Sequence, residues 1–171
     1  MRTHIISLLI MMLPFSMGFS QKYAYVDSEY ILSNIPAYAA AQEQLDQVSV
    51  EWQKEIEEIY SQIDKMYKDF QSEKVLLTEE MKIKREEEII NKEKEAKELQ
   101  KKRFGREGDL YKKRQELVKP IQDDVFNAVK EIAEEGGFAV IFDSSSSLTM
   151  LYTDPKYDIS DDILEKLGYK N

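Results

Sequence analysis

The sequence predicts a mostly α-helical protein with a small β body: a long antiparallel helical hairpin projecting like a tentacle from short strands that oligomerisation completes. Three observations lead there. Ala41, Leu45, Val48, Trp52, Ile56, Ile59, Ile63, Met66 and Phe70 recur at steps of three and four, with no glycine or proline between them. That is a coiled-coil-like seam with one stutter near Trp52. Gly136-Gly137 then stops a second helical stretch and leads into Phe138-Ala139-Val140-Ile141-Phe142, a continuous apolar run with the pattern of a strand buried on both faces. Finally, the residues outside the hairpin, 21–36 and 120–171, number 68, near the lower limit for an independent core.

The elements follow in order. Residues 1–20 carry one basic residue, Arg2, an apolar run from Ile5 to Phe15 and a small-residue end at Gly18-Phe19-Ser20. This is the pattern of a secretory signal cleaved near Ser20-Gln21, and the mature protein is expected to be exported and soluble outside the cytoplasm. Tyr23-Ala24-Tyr25-Val26 reads as a strand, Asp27-Ser28 as the cap of a brief helix, and Asn34-Ile35-Pro36 as its stop. The hairpin arm spans 37–119. Its seam dissolves after Phe70, and Thr78 before Glu79-Glu80 is a fresh N-cap, so the tip falls near 72–78. The return helix is expected to run from Glu79 towards Glu135, weakened at Gly105 and Gly108 and kinked at Pro120. Beyond the apolar strand, Leu148–Thr153 is expected to form its hairpin partner, and Asp161–Leu167 a last helix capped by Ser160 or Asp158. Three short strands would leave edges unpaired, and sharing the sheet between subunits covers them. Tyr25, Val26, Val140 and Phe142 are the candidate subunit interface.

Composition closes several functional classes. The single histidine, His4, lies in the leader and the chain has no cysteine, so the mature protein lacks the commonest general base, the commonest zinc ligands and every thiol nucleophile. No enzyme, cofactor or metal is expected. The segment Gly105-Arg106-Glu107-Gly108 lacks the ending of a phosphate-cradling loop, which argues against nucleotide. Asp154, Asp158, Asp161 and Asp162 lack the central glycine and closing glutamate of a calcium loop, and Ser144–Ser147 has no base beside it. Without its leader the chain carries 23 basic and 33 acidic side chains, a net −10, which argues against nucleic acid.

Charge is unevenly placed: residues 21–73 sum to −7, 74–119 to +4 and 120–171 to −7. The basic excess is densest at Lys101-Lys102-Arg103 and Lys112-Lys113-Arg114. It is either a solvated face complementing an acidic neighbour or a basic inner surface for acidic chains and anionic headgroups. Apolar residues on the return helix fall into two files. Ile83, Ile90, Phe104, Tyr111 and Val118 recur at multiples of seven, beside Ile89, Ala96, Leu110 and Leu117. Both files serve as seam, or the first is left exposed to contact another polypeptide. A structural or adaptor coiled coil of the envelope is the alternative reading; it requires a continuous seam, and Arg85, Lys92, Arg103 and Arg106 interrupt one.

The order of elements, with Tyr23-Ala24-Tyr25-Val26-Asp27, Leu117-Val118-Lys119-Pro120-Ile121, Gly137-Phe138-Ala139-Val140-Ile141-Phe142-Asp143 and Asp158-Ile159-Ser160, resembles the OmpH/Skp family of periplasmic chaperones. The resemblance implies a homotrimer whose strands build a shared β body, with three arms enclosing a cavity. It implies ATP-independent holding of unfolded outer-membrane β-barrel proteins before their assembly. On that reading Ile83, Ile90, Phe104, Tyr111, Val118, Lys112, Lys113 and Arg114 bind client. A weak contact with anionic lipid or lipopolysaccharide would use the same basic segment. The chain departs from the best-known member, which is strongly basic, in being acidic outside its return arm.

Overall fold

The computed structural model describes residues 21–146 and 150–170; the expected leader lies outside them. Strand β1 (Lys22–Val26) delivers the chain to Asp27, whose side chain accepts the Tyr30 backbone N–H at 2.9 Å and so caps helix α1 (Ser28–Ser33). Ile35 is extended and Pro36 occupies the first turn of α2 (Pro36–Glu73), where its missing donor costs nothing. The 38 residues of α2 run without interruption, about 57 Å at ~1.5 Å per residue.

All nine seam residues of α2 are buried or half-buried, and Ala41, Leu45, Ile56, Ile63 and Phe70 are fully so. Its terminus unwinds at Lys74. Thr78 then accepts the Met81 N–H at 3.3 Å, and Glu79 and Glu80 sit in the first turn of α3 (Glu79–Phe104), where the helix dipole favours acids. Across the hairpin the second file supplies the seam: Ile89 and Ala96 are buried, Leu110 and Leu117 half-buried. Arg103 occupies the missing heptad step between Ala96 and Leu110.

The return limb is not the single kinked helix that its composition suggests. It is three helices: α3, α4 (Asp109–Leu117) and α5 (Lys119–Gly136). The break between α3 and α4 is steric. A Cβ at Gly105 would stand 2.3 Å from the Lys101 carbonyl oxygen, and one at Gly108 would stand 2.7 Å from that of Lys102. The chain folds back so tightly on the end of α3 that only glycine fits. Pro120 lies in the first turn of α5, so it opens a helix just past the Val118 junction.

Gly137, at φ 66°, ends α5 in the left-handed conformation and turns the chain into β2 (Phe138–Asp143). The expected hairpin partner for β2 is not the observed one. β2 pairs in parallel with β1, Tyr23 opposite Val140, Tyr25 opposite Phe142 and Val26 opposite Asp143. Met150–Thr153 carry no strand, and the rest of that expected strand, residues 148–149, lies outside the described residues. Parallel strands require a long crossover, and here the entire helical arm is the crossover. A short turn (Pro155–Tyr157) and helix α6 (Ser160–Lys166) close the chain, with Asp158 accepting the Ser160 N–H at 2.9 Å.

Helices α1, α5 and α6 cover one face of this two-stranded sheet. Ala24, Val26, Ile31, Ile35, Val125, Ala128, Ile159, Ile163 and Leu164 form the core there. The other face is open. Val140 is 42% exposed and Phe142 38% exposed, beside exposed Tyr23 and half-buried Tyr25. The strand expected to be buried on both faces is buried, in this single chain, on one.

Candidate functional site

Two surfaces have the character of interaction sites: the open sheet face and one flank of the arm. On the sheet, strand alternation decides which expected interface residues are available. Tyr25, Val140 and Phe142 point to the open side. Val26 points the other way and is spent in the chain's own core, so it is not available to a partner. Asp143 anchors the strand end. It accepts the Ser28 hydroxyl at 2.8 Å, the Ser28 N–H at 3.2 Å, and the N–H and hydroxyl of Ser145 at 3.1 and 2.8 Å. Partial burial pushes its carboxyl pKa up, but these hydrogen bonds outweigh it and hold it below the ordinary range.

On the arm, the first apolar file divides. Ile83 and Ile90 are 57% and 59% exposed, and Tyr111 is also exposed. Phe104 is half-buried, its ring edge-on to Trp52 with centroids 6.5 Å apart. Val118 is 4% exposed and packs with Ala41 and Leu45 at the base of the hairpin, so it offers no surface to another polypeptide. Tyr111 lies beyond the Gly105–Gly108 break and is still exposed, so the division falls at Val118, which ends α4 and opens α5 where the limb meets the base of the hairpin. Lys112 and Arg114 are exposed, whereas Lys113 is half-buried and paired with Glu116 at 3.2 Å.

Tyr60 and Tyr67 complete the flank and were absent from the sequence-based candidates. They are exposed, lie seven residues apart on α2, and border the seam. The Tyr67 hydroxyl donates to Glu93 at 2.9 Å, a bond that raises the phenol pKa. Glu93 lies one turn from Ile90, so heptad spacing puts Tyr60, Tyr67, Ile83 and Ile90 along one side of the arm. At the tip Val75 and Leu76 are almost fully exposed. Their signal was available, since the α2 seam ends at Phe70 and leaves later aliphatic residues without partners.

At mid-arm Arg103 joins three helices. Its guanidinium lies 4.7 Å from the Trp52 ring centroid, 3.1 Å from Glu55 on α2 and 2.8 Å from Asp109 at the start of α4. Partial burial opposes its charge, but the two carboxylates more than compensate and raise its pKa. Among the described residues no cluster of three or more His, Cys, Asp or Glu side chains could hold a metal ion, and no helix is long and apolar enough to cross a membrane.

A two-limbed helical arm standing on a small parallel sheet defines a known architecture. A crystal structure from Caulobacter crescentus CB15, described as a candidate outer membrane chaperone (OmpH-like), shares it with a TM-score of 0.67 at 12% identity, over 86% of this chain and 83% of that one. An uncharacterized protein of Aquifex aeolicus (strain VF5) is 30% identical over 158 residues, 92% of this chain and 93% of its own length. The family of outer membrane proteins described as OmpH-like matches residues 22–167. The chain belongs to the OmpH-like family.

Proposed function

We propose that this protein is a chaperone of the cell envelope: an exported periplasmic holdase that assembles as a homotrimer and keeps unfolded outer-membrane β-barrel proteins from aggregating without ATP. One observation carries the reading. The arm exposes a flank of apolar and aromatic residues, Tyr60, Tyr67, Ile83 and Ile90. Many weak contacts of this kind suit a binder that must accept varied unfolded chains. Ile83, Ile90 and Tyr111 supply the apolar contacts, with Lys112 and Arg114 adding screened charge contacts to client or to anionic headgroups. Tyr23, Tyr25, Val140 and Phe142 supply the sheet face through which subunits share their strands. Family membership, the 12% identical fold relative and the leader pattern of residues 1–20 support this reading.

The deciding experiment dilutes a urea-unfolded β-barrel protein into buffer with and without the purified chain, in the absence of nucleotide, and follows turbidity. Suppression at a stoichiometric ratio of assembled protein to client is expected. Unchanged aggregation would overturn the proposal.

A further inference from the structure

The two limbs of the arm carry opposite and largely unsatisfied charge at the same height. Residues 43–58 on α2 hold six acidic and one basic side chain, a net −5, while residues 97–114 on the return limb hold eight basic and three acidic, a net +5. The Glu55–Arg103 contact at 3.1 Å sets the two stretches level with each other. Yet among the described residues only that pair and Arg85–Glu73 near the tip join the limbs by charge. Among the described residues Asp46, Glu51 and Glu58 are exposed with no cation in reach, and Glu43 meets just the Gln47 amide at 3.2 Å. Lys97, Lys101, Lys102, Arg106, Lys112 and Arg114 are likewise exposed and have no carboxylate partner among the described residues. The acidic residues line a shallow groove of about 1180 Å³ along α2, whereas Lys101, Lys102, Arg106 and Lys112 surround the bulge at the Gly105–Gly108 break.

We infer that the groove on α2 is a docking surface for the basic bulge of a second copy of this chain, so that neighbouring arms of the oligomer close on one another side by side. The inference rests on the proposed oligomer. In a cyclic assembly every contact is head-to-tail and joins two different patches, and the complementary charge of the two limbs sets the outgoing limb of one arm against the returning limb of the next. Symmetry also keeps equivalent residues at one height, which brings the −5 stretch opposite the +5 stretch all the way round. Within one chain, among the described residues, Glu55–Arg103 is the one ion pair that joins these two stretches. The resulting ring is closed by exposed ion pairs, weak singly and sensitive to salt. An empty assembly therefore stands with its arms together, and ionic strength or an entering polypeptide parts them.

The chain has no cysteine, so Gln47→Cys with Gln115→Cys gives two unique thiols, one beside the groove and one on α4. Light scattering first establishes that this full-length protein is oligomeric. A short bismaleimide is then added at low and high salt, and covalent dimers and trimers are read on a denaturing gel, where intrachain links run as monomer. Interchain product is expected at ~0.05 M salt and should fall about fivefold at ~0.5 M, as exposed pairs are screened. Lys101→Glu, Lys102→Glu and Arg106→Glu together should produce a similar fall at low salt. Adding Asp46→Lys, Glu51→Lys and Glu58→Lys to the same chain should restore the product. An intact oligomer whose linking ignores both salt and charge reversal overturns the docking surface and leaves the chaperone reading standing. A monomer overturns the trimer and this inference together.

Discussion

Replacing Phe142 by aspartate separates a surface that belongs to the assembly from one that belongs to the chain. Phe142 keeps 38% of its surface uncovered in the single chain, and it stands beside Val140, which keeps 42%. A phenylalanine presents ~200 Å², so ~75 Å² remains for a neighbour to cover, worth about 2 kcal/mol per subunit at ~25 cal/mol per Å². A carboxylate in that position loses this contribution and adds a desolvation cost of several kcal/mol if the face is closed over it. In the isolated chain the same carboxylate stays in water, because Phe142 projects away from the core of Ala24, Val26, Ile31 and Ile163. Light scattering should therefore report dissociation to monomers while far-ultraviolet circular dichroism retains the helical signal. A variant that remains trimeric, with unchanged thermal stability, would show that the open sheet face is not the subunit interface. A variant that loses its helical signal, accompanied by Phe142→Ala that does the same, would show that the side chain belongs to the chain's own core.

Three further outcomes are expected. Serine at Tyr60, Tyr67, Ile83 and Ile90 together should abolish most aggregation suppression while light scattering and helicity stay unchanged; full suppression would remove the arm flank from client binding. Arg103→Met breaks the contacts to Glu55 and Asp109 and should cost about 1–2 kcal/mol, read as earlier thermal unfolding, because charged hydrogen bonds of limited exposure are lost. Arg103→Lys should recover only part of this, since lysine lacks the planar fork that reaches two carboxylates while lying over an indole. The Asp143 carboxyl is held below its unfolded pKa of about 3.9, so its stabilisation is complete at neutral pH and is lost as pH falls through that value to the lower folded one. Asp143→Asn should lower the melting temperature at pH 7 and flatten the acid limb of stability against pH; an unaltered acid limb would show that another carboxylate governs it.

The helical hairpin was legible because its signals are local. The nine-residue seam of α2, the Thr78 cap and the Gly137 stop each follow from a spacing or a single backbone preference, and the structure carries all three. What was illegible depended on contacts distant in sequence. Phe138–Phe142 announces a buried strand but not its partner: local spacing favours the nearby Leu148–Thr153, whereas the partner is Tyr23–Val26, more than a hundred residues earlier. The glycines at 105 and 108 were readable as weak points of a helix. That they mark a close return of the backbone onto Lys101 and Lys102 depends on coordinates. A heptad file could not be assigned wholesale either: Ile83, Ile90 and Tyr111 stay exposed, whereas Val118 sits at the α4–α5 junction and packs against Ala41 and Leu45. Arg103 looked like a fault in the seam because its partners come from two other helices.

The chain has a single tryptophan, and Trp52 lies where the outgoing limb meets the Gly105–Gly108 break, under the Arg103 guanidinium and against the Phe104 ring. An indole so placed is a built-in optical gauge. Its emission responds to hydration and to the charge above it, and no other residue of the chain emits at the same wavelength. Loosening of the limbs at mid-arm should therefore register as a shift in the colour of unlabelled protein, in real time and at low concentration. Unfolding of the sheet body, which contains tyrosine but no tryptophan, should leave that colour unchanged.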